Sequence, residues 1–235
     1  MRVPLMKMND VLSCSILERV NRFVVKVIIN KEEKEAYITN TGRLNELLVK
    51  GKTGFCIKKS SCKIDYKLFA IKDSSDLCAI IDTQLQMRSF ERCLEMGLAP
   101  SLKACKILKR NAKLGNSLID YLIFCENQSI YLEVKSAVLR NKNYAMYPDC
   151  PSSRGQRHIR DLINHVKSGG VGMILFLAAL PDVTSFKPNE EGDPEIYKLL
   201  EEALKVGVKL ASIGLFYDPR DSFVYIYNPD LNVEV

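Results

Sequence analysis

Several residue types that often mark a specific chemistry are rare or absent in this chain. The 235 residues include no tryptophan and only two histidines, His158 and His165. The eight cysteines form no Cys-x-x-Cys pair, so the spacing of a zinc site is lacking. Without an indole for sugar stacking or a phosphate-binding loop, the sequence gives little support to a metabolic enzyme or a sugar-binding protein. The glycines within residues 169–172 precede a predicted strand, which argues against a dinucleotide-binding loop.

Long apolar runs are also missing. The N-terminus has no run long enough for a secretion signal, and residues 171–180, the longest run, reach half of the roughly 20 residues that a membrane span needs. This run instead predicts a strand that is buried on both faces. We therefore expect a cytoplasmic protein with no membrane partner. Its cysteines, several of them in apolar stretches, are expected to be free thiols in a reducing compartment.

Positive charge is concentrated in the first third of the chain. Lysine and arginine number 34 against 28 acids, a net charge of +6, and residues 1–82 hold 15 basic and 10 acidic residues. Residues 50–72 contain seven lysines and one acid, Asp65. A local positive field of this kind favours contacts with phosphates, although a solvated lysine-rich face explains it equally well.

The hydrophobic pattern predicts a chain in two parts. Residues 1–82 show short β-prone runs separated by turns, which is typical of a small barrel, with one or two helical turns at residues 44–49. From residue 83 onward helices and strands alternate. Helices are predicted at residues 83–97, 154–167 and 194–206, and strands at 103–113, 118–124, 130–138, 171–180 and 209–217, with 209–217 as the final core strand. This order is typical of an α/β layout.

The two strands on either side of Glu126-Asn127 carry the candidate chemistry. A two-residue loop there, or a symmetric four-residue loop, makes opposite residue numbers sum to 253. Asp120 then lies opposite Glu133, and Lys135, two residues further along, shares their face. On the other face the same register pairs apolar or aromatic residues. A slip by one residue would mix the two faces and is therefore disfavoured.

Two opposed carboxylates destabilise a sheet unless a positive charge offsets them. Mg²⁺ or Mn²⁺ held by Asp120 and Glu133 would do so, because hard cations prefer oxygen ligands. Lys135 could then orient a water or stabilise negative charge, which is sufficient for phosphodiester hydrolysis. A Lys135 that simply bridges both acids explains the same residues without a metal, and short motifs of this kind often arise by chance.

Eight short segments spread along the chain help to decide between a metal site and a lysine that simply bridges the two acids. They are Asn40-Thr41-Gly42, Thr83-Gln84-Leu85, Leu94-Glu95-Met96-Gly97-Leu98, Asn116-Ser117-Leu118-Ile119-Asp120-Tyr121, Tyr131-Leu132-Glu133-Val134-Lys135-Ser136-Ala137-Val138-Leu139, Tyr147-Pro148-Asp149, Arg154-Gly155-Gln156-Arg157-His158-Ile159 and Phe186-Lys187-Pro188. Together they resemble the sugar fermentation stimulation protein family over nearly the whole chain. The resemblance implies an OB-like β-barrel at residues 1–82 that binds nucleic acid. It further implies a PD-(D/E)XK restriction-endonuclease-like mixed sheet, flanked by helices, at residues 83–235, and DNA binding linked to sugar metabolism.

The resemblance also implies roles for individual residues. Asp120, Glu133 and Lys135 match the nuclease motif, and Gln156 is a further catalytic candidate that would hold the lysine or the DNA. Related nucleases often take another metal ligand from the helix before the sheet. Here that position is Arg92, so either the neighbouring Glu91 serves as the ligand or the ligand is missing.

We expect DNA as the partner and no small-molecule cofactor, with a homodimer as one option. The candidate DNA contacts are Arg154, Arg157, Lys106, Lys109, Arg110, Lys113, Lys58 and Lys59. A solvated, charge-protected strand edge explains the cations of residues 106–113 nearly as well. His158 is interpreted as a packing histidine. The competing hypothesis is a DNA-binding regulator of sugar metabolism genes that has no catalytic activity.

Binding led by phosphates should depend strongly on salt. For duplex DNA the logarithm of the association constant should fall with the logarithm of salt concentration by about 0.9 per phosphate contacted. Fluorescence anisotropy from low to high salt measures this slope. An affinity that stays constant over the whole range would contradict binding through phosphates.

Overall fold

The computed structural model describes residues 2–59, 64–73 and 76–235, and most of the regular structure is β-sheet. The first part of the chain forms strands β1 (Val3–Lys7), β2 (Val11–Arg19), β3 (Val24–Ile29), β4 (Glu32–Tyr37), β5 (Thr53–Lys58), β6 (Tyr66–Lys72) and β7 (Cys78–Ile80). The second part begins with α1 (Thr83–Glu95), a 3₁₀ turn (Pro100–Leu102), β8 (Lys106–Leu114), β9 (Ser117–Cys125), β10 (Gln128–Ser136), β11 (Leu139–Asn141) and β12 (Tyr144–Tyr147). It continues with α2 (Ser153–Lys167), β13 (Gly172–Ala178), β14 (Ser185–Pro188), α3 (Pro194–Val206), β15 (Lys209–Asp218), β16 (Phe223–Asn228) and β17 (Asn232–Val233).

One large sheet runs through both parts in the order β4-β3-β2-β5-β6-β7-β15-β13-β10-β9-β8. A short parallel contact between β4 and β6 brings the N-terminal strands towards barrel closure. Tyr217 of β15 pairs with Cys78 of β7, and β1 pairs with β16, so two ladders link the parts. β11, β12, β14 and β17 form a second, smaller sheet. The division between residues 82 and 83 stays a prediction.

The centre of the C-terminal sheet is parallel, and its middle strand, β13, is fully buried. All seven residues of β13 are buried, and β13 runs parallel to β10 on one side and β15 on the other. The apolar run at residues 171–180 is therefore confirmed as a strand covered on both faces, which is where such runs are found. α2 contacts β13 and β9, while α1 contacts β10 and β7.

Capping residues fix the helix ends. The Asp82 carboxylate accepts from the backbone of Gln84 to start α1, and the Ser152 hydroxyl accepts from Gly155 to start α2. α3 has Pro194 in its first turn and ends at Gly207, whose φ of 96° suits glycine. The predicted bounds of α3 are confirmed.

The structure refines and corrects several predictions about the fold. Of the one or two helical turns predicted at residues 44–49, one is present, closed by the Leu48 N–H that donates to the Leu44 carbonyl at 2.8 Å. The strand at residues 209–218 is not the last one, since β16 pairs with it. Lengths of three to six residues made β11, β12, β14 and β16 hard to recognise from the sequence.

No described helix is long and apolar enough to cross a membrane.

The expectation that all cysteines are free thiols was also wrong. Cys105 and Cys125 form a disulfide, with their Cα atoms 4.4 Å apart. Cys105 directly precedes β8 and Cys125 ends β9, and these two strands pair, so the antiparallel ladder brings the thiols together. Cys14, Cys56, Cys78, Cys93 and Cys150 are free. Cys62 lies outside the described residues.

The hairpin turn between β9 and β10 provides a test of local conformation. Glu126 and Asn127 have φ values of 47° and 65°, as a two-residue hairpin turn requires. Asn127→Ala should lower the free energy of unfolding by about 1 kcal/mol, because alanine is disfavoured in the left-handed region. Asn127→Gly is the matched control and should not destabilise the protein. Urea denaturation measures both, and equal losses would contradict this account.

Candidate metal and nuclease site

The hairpin of β9 and β10 has the predicted register. The pairs run from Gln128↔Cys125 to Leu132↔Tyr121, each summing to 253, so Glu133 and Asp120 come next. Beyond Leu132 a side chain replaces the backbone ladder, since Asp120 Oδ2 accepts from the Val134 N–H at 2.8 Å. Continued by one pair, this register places the two carboxylates on one face of the sheet, and the charge of Glu133 acts on Asp120.

Glu133 is buried and has different surroundings at its two oxygens. Oε1 accepts a hydrogen bond of 2.7 Å from Lys135 Nζ and lies 2.6 Å from His158 Nδ1. Oε2 is buried and has no hydrogen-bond partner in the described part of the chain. Burying an unpaired carboxylate oxygen is costly. This oxygen is therefore a candidate ligand atom for a cation.

Burial and neighbouring charges shift the pKa values of Asp120 and Glu133 in opposite directions. Burial, followed by the charge of Glu133, raises the pKa of Asp120 to about 6. Burial also opposes ionisation of Glu133, but Lys135 and His158 outweigh it and hold its pKa below the usual value. Lys135 is buried too, yet Tyr147 and Glu133 keep its pKa above the usual value. The site thus contains an ionised Glu133, a protonated Lys135 and an Asp120 whose charge is poorly compensated.

Glu91 is placed away from these acids. Its carboxylate accepts from Arg110 Nε at 2.7 Å and from the Tyr121 hydroxyl at 2.9 Å. Tyr121 follows Asp120 in β9, so its side chain lies on the opposite face of the sheet. The geometry does not support Glu91 as a ligand that joins Asp120 and Glu133. The described residues contain no cluster of three or more His, Cys, Asp and Glu side chains suited to a metal.

The helix α2 places the next group of predicted residues. Gln156 donates to both oxygens of Asp193, at 3.2 and 3.1 Å, and so connects α2 to the start of α3 instead of contacting Lys135. Arg154 lies beside the site, with Nε 3.4 Å from His158 Nε2. Arg157 is exposed. Of these residues, Arg154 has the most direct connection to Glu133.

The predicted lysine contacts lie far apart in the sheet. Lys106, Lys109 and Lys113 are exposed on the edge strand β8. Lys58 is exposed at the end of β5, and Lys59 Nζ lies 5.0 Å from the Tyr37 ring centroid. Six strands separate β5 from β8 in the sheet order. The two groups of lysines therefore belong to different surfaces.

His158 is a contact that sequence reasoning missed. It was interpreted as a packing residue, but its ring touches the carboxylate of Glu133. The only signal was its place in the Arg154–Ile159 segment. The helical pattern of α2 shows which residues share a face, and it does not reveal what that face covers.

The N-terminal part contributes a second missed feature, the loop of residues 40–44. The Asn40 side chain lies 3.5 Å from Ser136 Oγ, and the Asp149 carboxylate accepts from the Leu44 N–H at 3.1 Å. The Arg19 guanidinium donates to the carbonyls of Gly42 and Arg43. Loop 40–44 is therefore held against the strand that carries Lys135.

Two cavities adjoin this loop. The smaller, of about 140 Å³, is lined by residues that include Asn40, Ser136 and Tyr147. The larger, of about 550 Å³, shares Met146 and Asp149 with it. A groove thus leads from the end of β10 along loop 40–44, with walls from both parts of the chain.

Comparisons with known proteins agree with this architecture. The sugar fermentation stimulation protein N-terminal OB domain matches residues 17–80, and the RE domain of the same family matches residues 84–221. The predicted fold class is confirmed: the molecule is a mixed α/β protein in which an OB domain precedes an RE domain. The chain belongs to the sugar fermentation stimulation protein family.

Its relatives cover nearly the full chain. The sugar fermentation stimulation protein homolog of Pyrococcus furiosus is 46% identical over 231 residues, covering 98% of this chain and 99% of the relative. The homolog of Archaeoglobus fulgidus is 41% identical over 232 residues, covering 98% and 99%. The structure of Pyrococcus furiosus SfsA in complex with Ca²⁺ superposes with a TM-score of 0.95 at 45% identity, covering 99% of this chain and 100% of that chain.

Because the pKa of Asp120 is raised, removing its charge should increase the free energy of unfolding, and the increase should depend on pH. The pKa is about 6 in the folded protein and lies near 3.8, the ordinary value of an aspartate, when the chain is unfolded. Ionisation of Asp120 therefore costs stability above the unfolded pKa, and the cost is complete above pH 6 to 7. In EDTA, Asp120→Asn should raise the free energy of unfolding by up to about 3 kcal/mol at pH 8 and by little at pH 4.

Urea denaturation at both pH values measures this difference. Asp230→Asn replaces an exposed acid and is the control, with no change expected at either pH. A gain that is the same at pH 4 and pH 8 would show that the charge of Asp120 is not its cause.

Proposed function

We propose that this chain is a cytoplasmic DNA-binding protein that holds Mg²⁺ or Mn²⁺ between Asp120 and Glu133 and hydrolyses phosphodiesters there, as a PD-(D/E)XK nuclease does. One observation carries the proposal. Among the described residues, one oxygen of the buried Glu133 has no hydrogen-bond partner, and Glu133 lies beside Asp120, whose pKa burial and the Glu133 charge raise to about 6. A divalent cation would remove both costs.

The donor set fits such a cation. Mg²⁺ is usually bound through one or two carboxylates, with water and substrate phosphates completing its coordination. Asp120 and Glu133 supply two carboxylates, so Glu91 is not required. A relative's structure offers further support, because Pyrococcus furiosus SfsA was solved in complex with Ca²⁺, which also prefers oxygen ligands.

A bound divalent cation would supply Lewis acidity to a phosphodiester and lower the pKa of a bound water. The protein groups have separate tasks. Lys135 stays protonated because its pKa is raised, so it acts as a donor to a developing negative charge and not as a base. Its bond to Glu133 Oε1 fixes the position of its ammonium group. His158 contacts the same oxygen and positions the carboxylate.

DNA binding is supported by features outside the acidic pair. OB folds commonly bind nucleic acids through basic surfaces and stacking side chains. Lys58 and Lys59 are in the OB domain, while Arg154 and Arg157 start the helix that contacts Glu133. The dipole of a helix disfavours cations in its first turn, so a phosphate partner would offset that cost.

The alternative is a DNA-binding regulator of sugar metabolism genes without catalytic activity. The position of Glu91 favours it, since the ion pair with Arg110 and the hydrogen bond from Tyr121 keep this acid away from the site. A site with two carboxylates and no third acid could retain a cation for structure alone. This hypothesis predicts retention of DNA in EDTA and no cleavage with any divalent ion.

A binding and cleavage assay separates the two hypotheses. Wild-type protein, Asp120→Ala and Lys135→Ala are compared with Mg²⁺, Mn²⁺ and EDTA on one labelled duplex. We expect cleavage by the wild type with either ion, none in EDTA, and a loss of about 100-fold or more in both variants. Binding in EDTA should persist.

The control variant is Lys198→Ala, which removes an exposed lysine from α3 and should cleave normally. Cleavage by Asp120→Ala at the wild-type rate would exclude a catalytic role for this site. Binding by the wild type without cleavage in either ion would favour the regulator.

A further inference from the structure

Lysines and apolar residues face each other along the outermost hairpin of the sheet. β8 is the edge strand, and its ladder with β9 contains three pairs of the same kind. These are Lys106↔Phe124, Lys109↔Leu122 and Lys113↔Leu118. Directly paired residues project from the same face of a sheet. We call Lys106, Lys109 and Lys113 the lysine row, and Phe124, Leu122 and Leu118 the apolar row.

Both rows are accessible, except that the middle residue of the apolar row is half-buried. All three lysines are exposed, and Phe124 and Leu118 are 40% and 53% exposed. Leu108, at the bulge between Ile107 and Lys109, is 57% exposed. Lysines on an edge strand are a common protection against aggregation. That role explains the lysine row and leaves the exposed apolar row without a reason.

Asp120 belongs to the same face as the apolar row. Side chains alternate along a strand, so Leu118, Asp120, Leu122 and Phe124 form one line on β9. Asp120 is the only acid in either strand. The row of cations therefore runs beside the line that contains the proposed metal ligand.

The opposite face of the hairpin is different. Arg110 pairs with Tyr121 there, and both side chains bind Glu91 on α1. The charge of Arg110 is thus matched within the protein, so this predicted DNA contact is separated from the three lysines. The three lysines form no ion pair with the residues that the structure describes, so the Asp120 face of this hairpin combines uncompensated cations with exposed apolar side chains.

We infer that the Asp120 face of β8 and β9 binds a single-stranded nucleic acid, with phosphates on the lysine row and bases on the apolar row. This rests on the proposed function and adds the kind of strand that the site receives. Basic grooves lined with stacking side chains are the usual means of binding single strands. In a duplex the bases are stacked inside and cannot pack on Phe124 or the leucines. A nucleic acid bound along the two rows would pass Asp120, because Asp120 lies in line with the apolar row.

The test compares one single-stranded oligonucleotide with the blunt duplex of the same sequence. Fluorescence anisotropy in EDTA keeps binding apart from cleavage. Phe124→Ala should weaken single-strand binding by about 5- to 150-fold, because a stacked base contributes that much. Duplex binding should change by less than about twofold, as no base can reach the ring. Leu204→Ala, which removes an exposed leucine from α3, is the control and should change neither.

The lysine row is tested through the salt dependence. Replacing Lys106, Lys109 and Lys113 by alanine should reduce the slope of log affinity against log salt by about 2 for the single strand. The matched control replaces the exposed Lys198, Lys205 and Lys209 and should keep the wild-type slope.

The outcomes distinguish this inference from the proposed function. If the wild type binds the duplex and Phe124→Ala does not selectively weaken single-strand binding, the inferred single-strand site is wrong, while the proposed DNA binding still stands. A dimer in sedimentation that Phe124→Ala dissociates, with unchanged single-strand affinity, would also overturn the single-strand site. If Phe124→Ala selectively loses single-strand binding and the wild type cleaves with no divalent ion, the single-strand site is supported and the proposed nuclease activity is refuted. Failure to bind either form would overturn both.

Discussion

The repulsion between Asp120 and Glu133 is the constraint on which the candidate site depends. A tight hairpin brings both carboxylates to one face, and burial increases the cost of charging them. The protein offsets only part of this cost. Val134 donates to Asp120, while Lys135 and His158 bind a single oxygen of Glu133. The other oxygen of Glu133 is left buried without a partner in the described chain.

The rest of the sheet maintains this arrangement. β10 is paired on one side with β9 and on the other with the fully buried β13, so the strand carrying Glu133 and Lys135 cannot relax outward. α2 covers the same region and supplies His158. An uncompensated pair of acids persists only where the surrounding structure is this rigid. Such residual cost is typical of functional sites.

The two faces of β9 serve different purposes. One face carries Tyr121, which packs edge-on against Phe90 of α1 and donates to Glu91. The other carries Asp120 between partly exposed leucines. This division explains how the hairpin can be at once part of the core and part of a surface. It also explains why a carboxylate on α1 does not reach the proposed metal site.

Local rules determined much of the architecture. A two-residue turn and the period of two along strands were enough to predict the register that sets Asp120 opposite Glu133. Pro194 and Gly207 marked the ends of α3, and an unbroken apolar run predicted β13. These features depend on residues close in the sequence, so the sequence alone contains their physical cause.

Tertiary structure decided which surfaces meet. The choice of sheet face for α1 removed Glu91 from the site, and the crossing of α2 brought His158 to Glu133, 25 residues away. Strand pairing joined Cys105 to Cys125, and loop 40–44 reached Ser136 across 96 residues. Side-chain periodicity shows that a helix has an apolar face but not which face of the sheet it covers. That choice depends on the path of the whole chain.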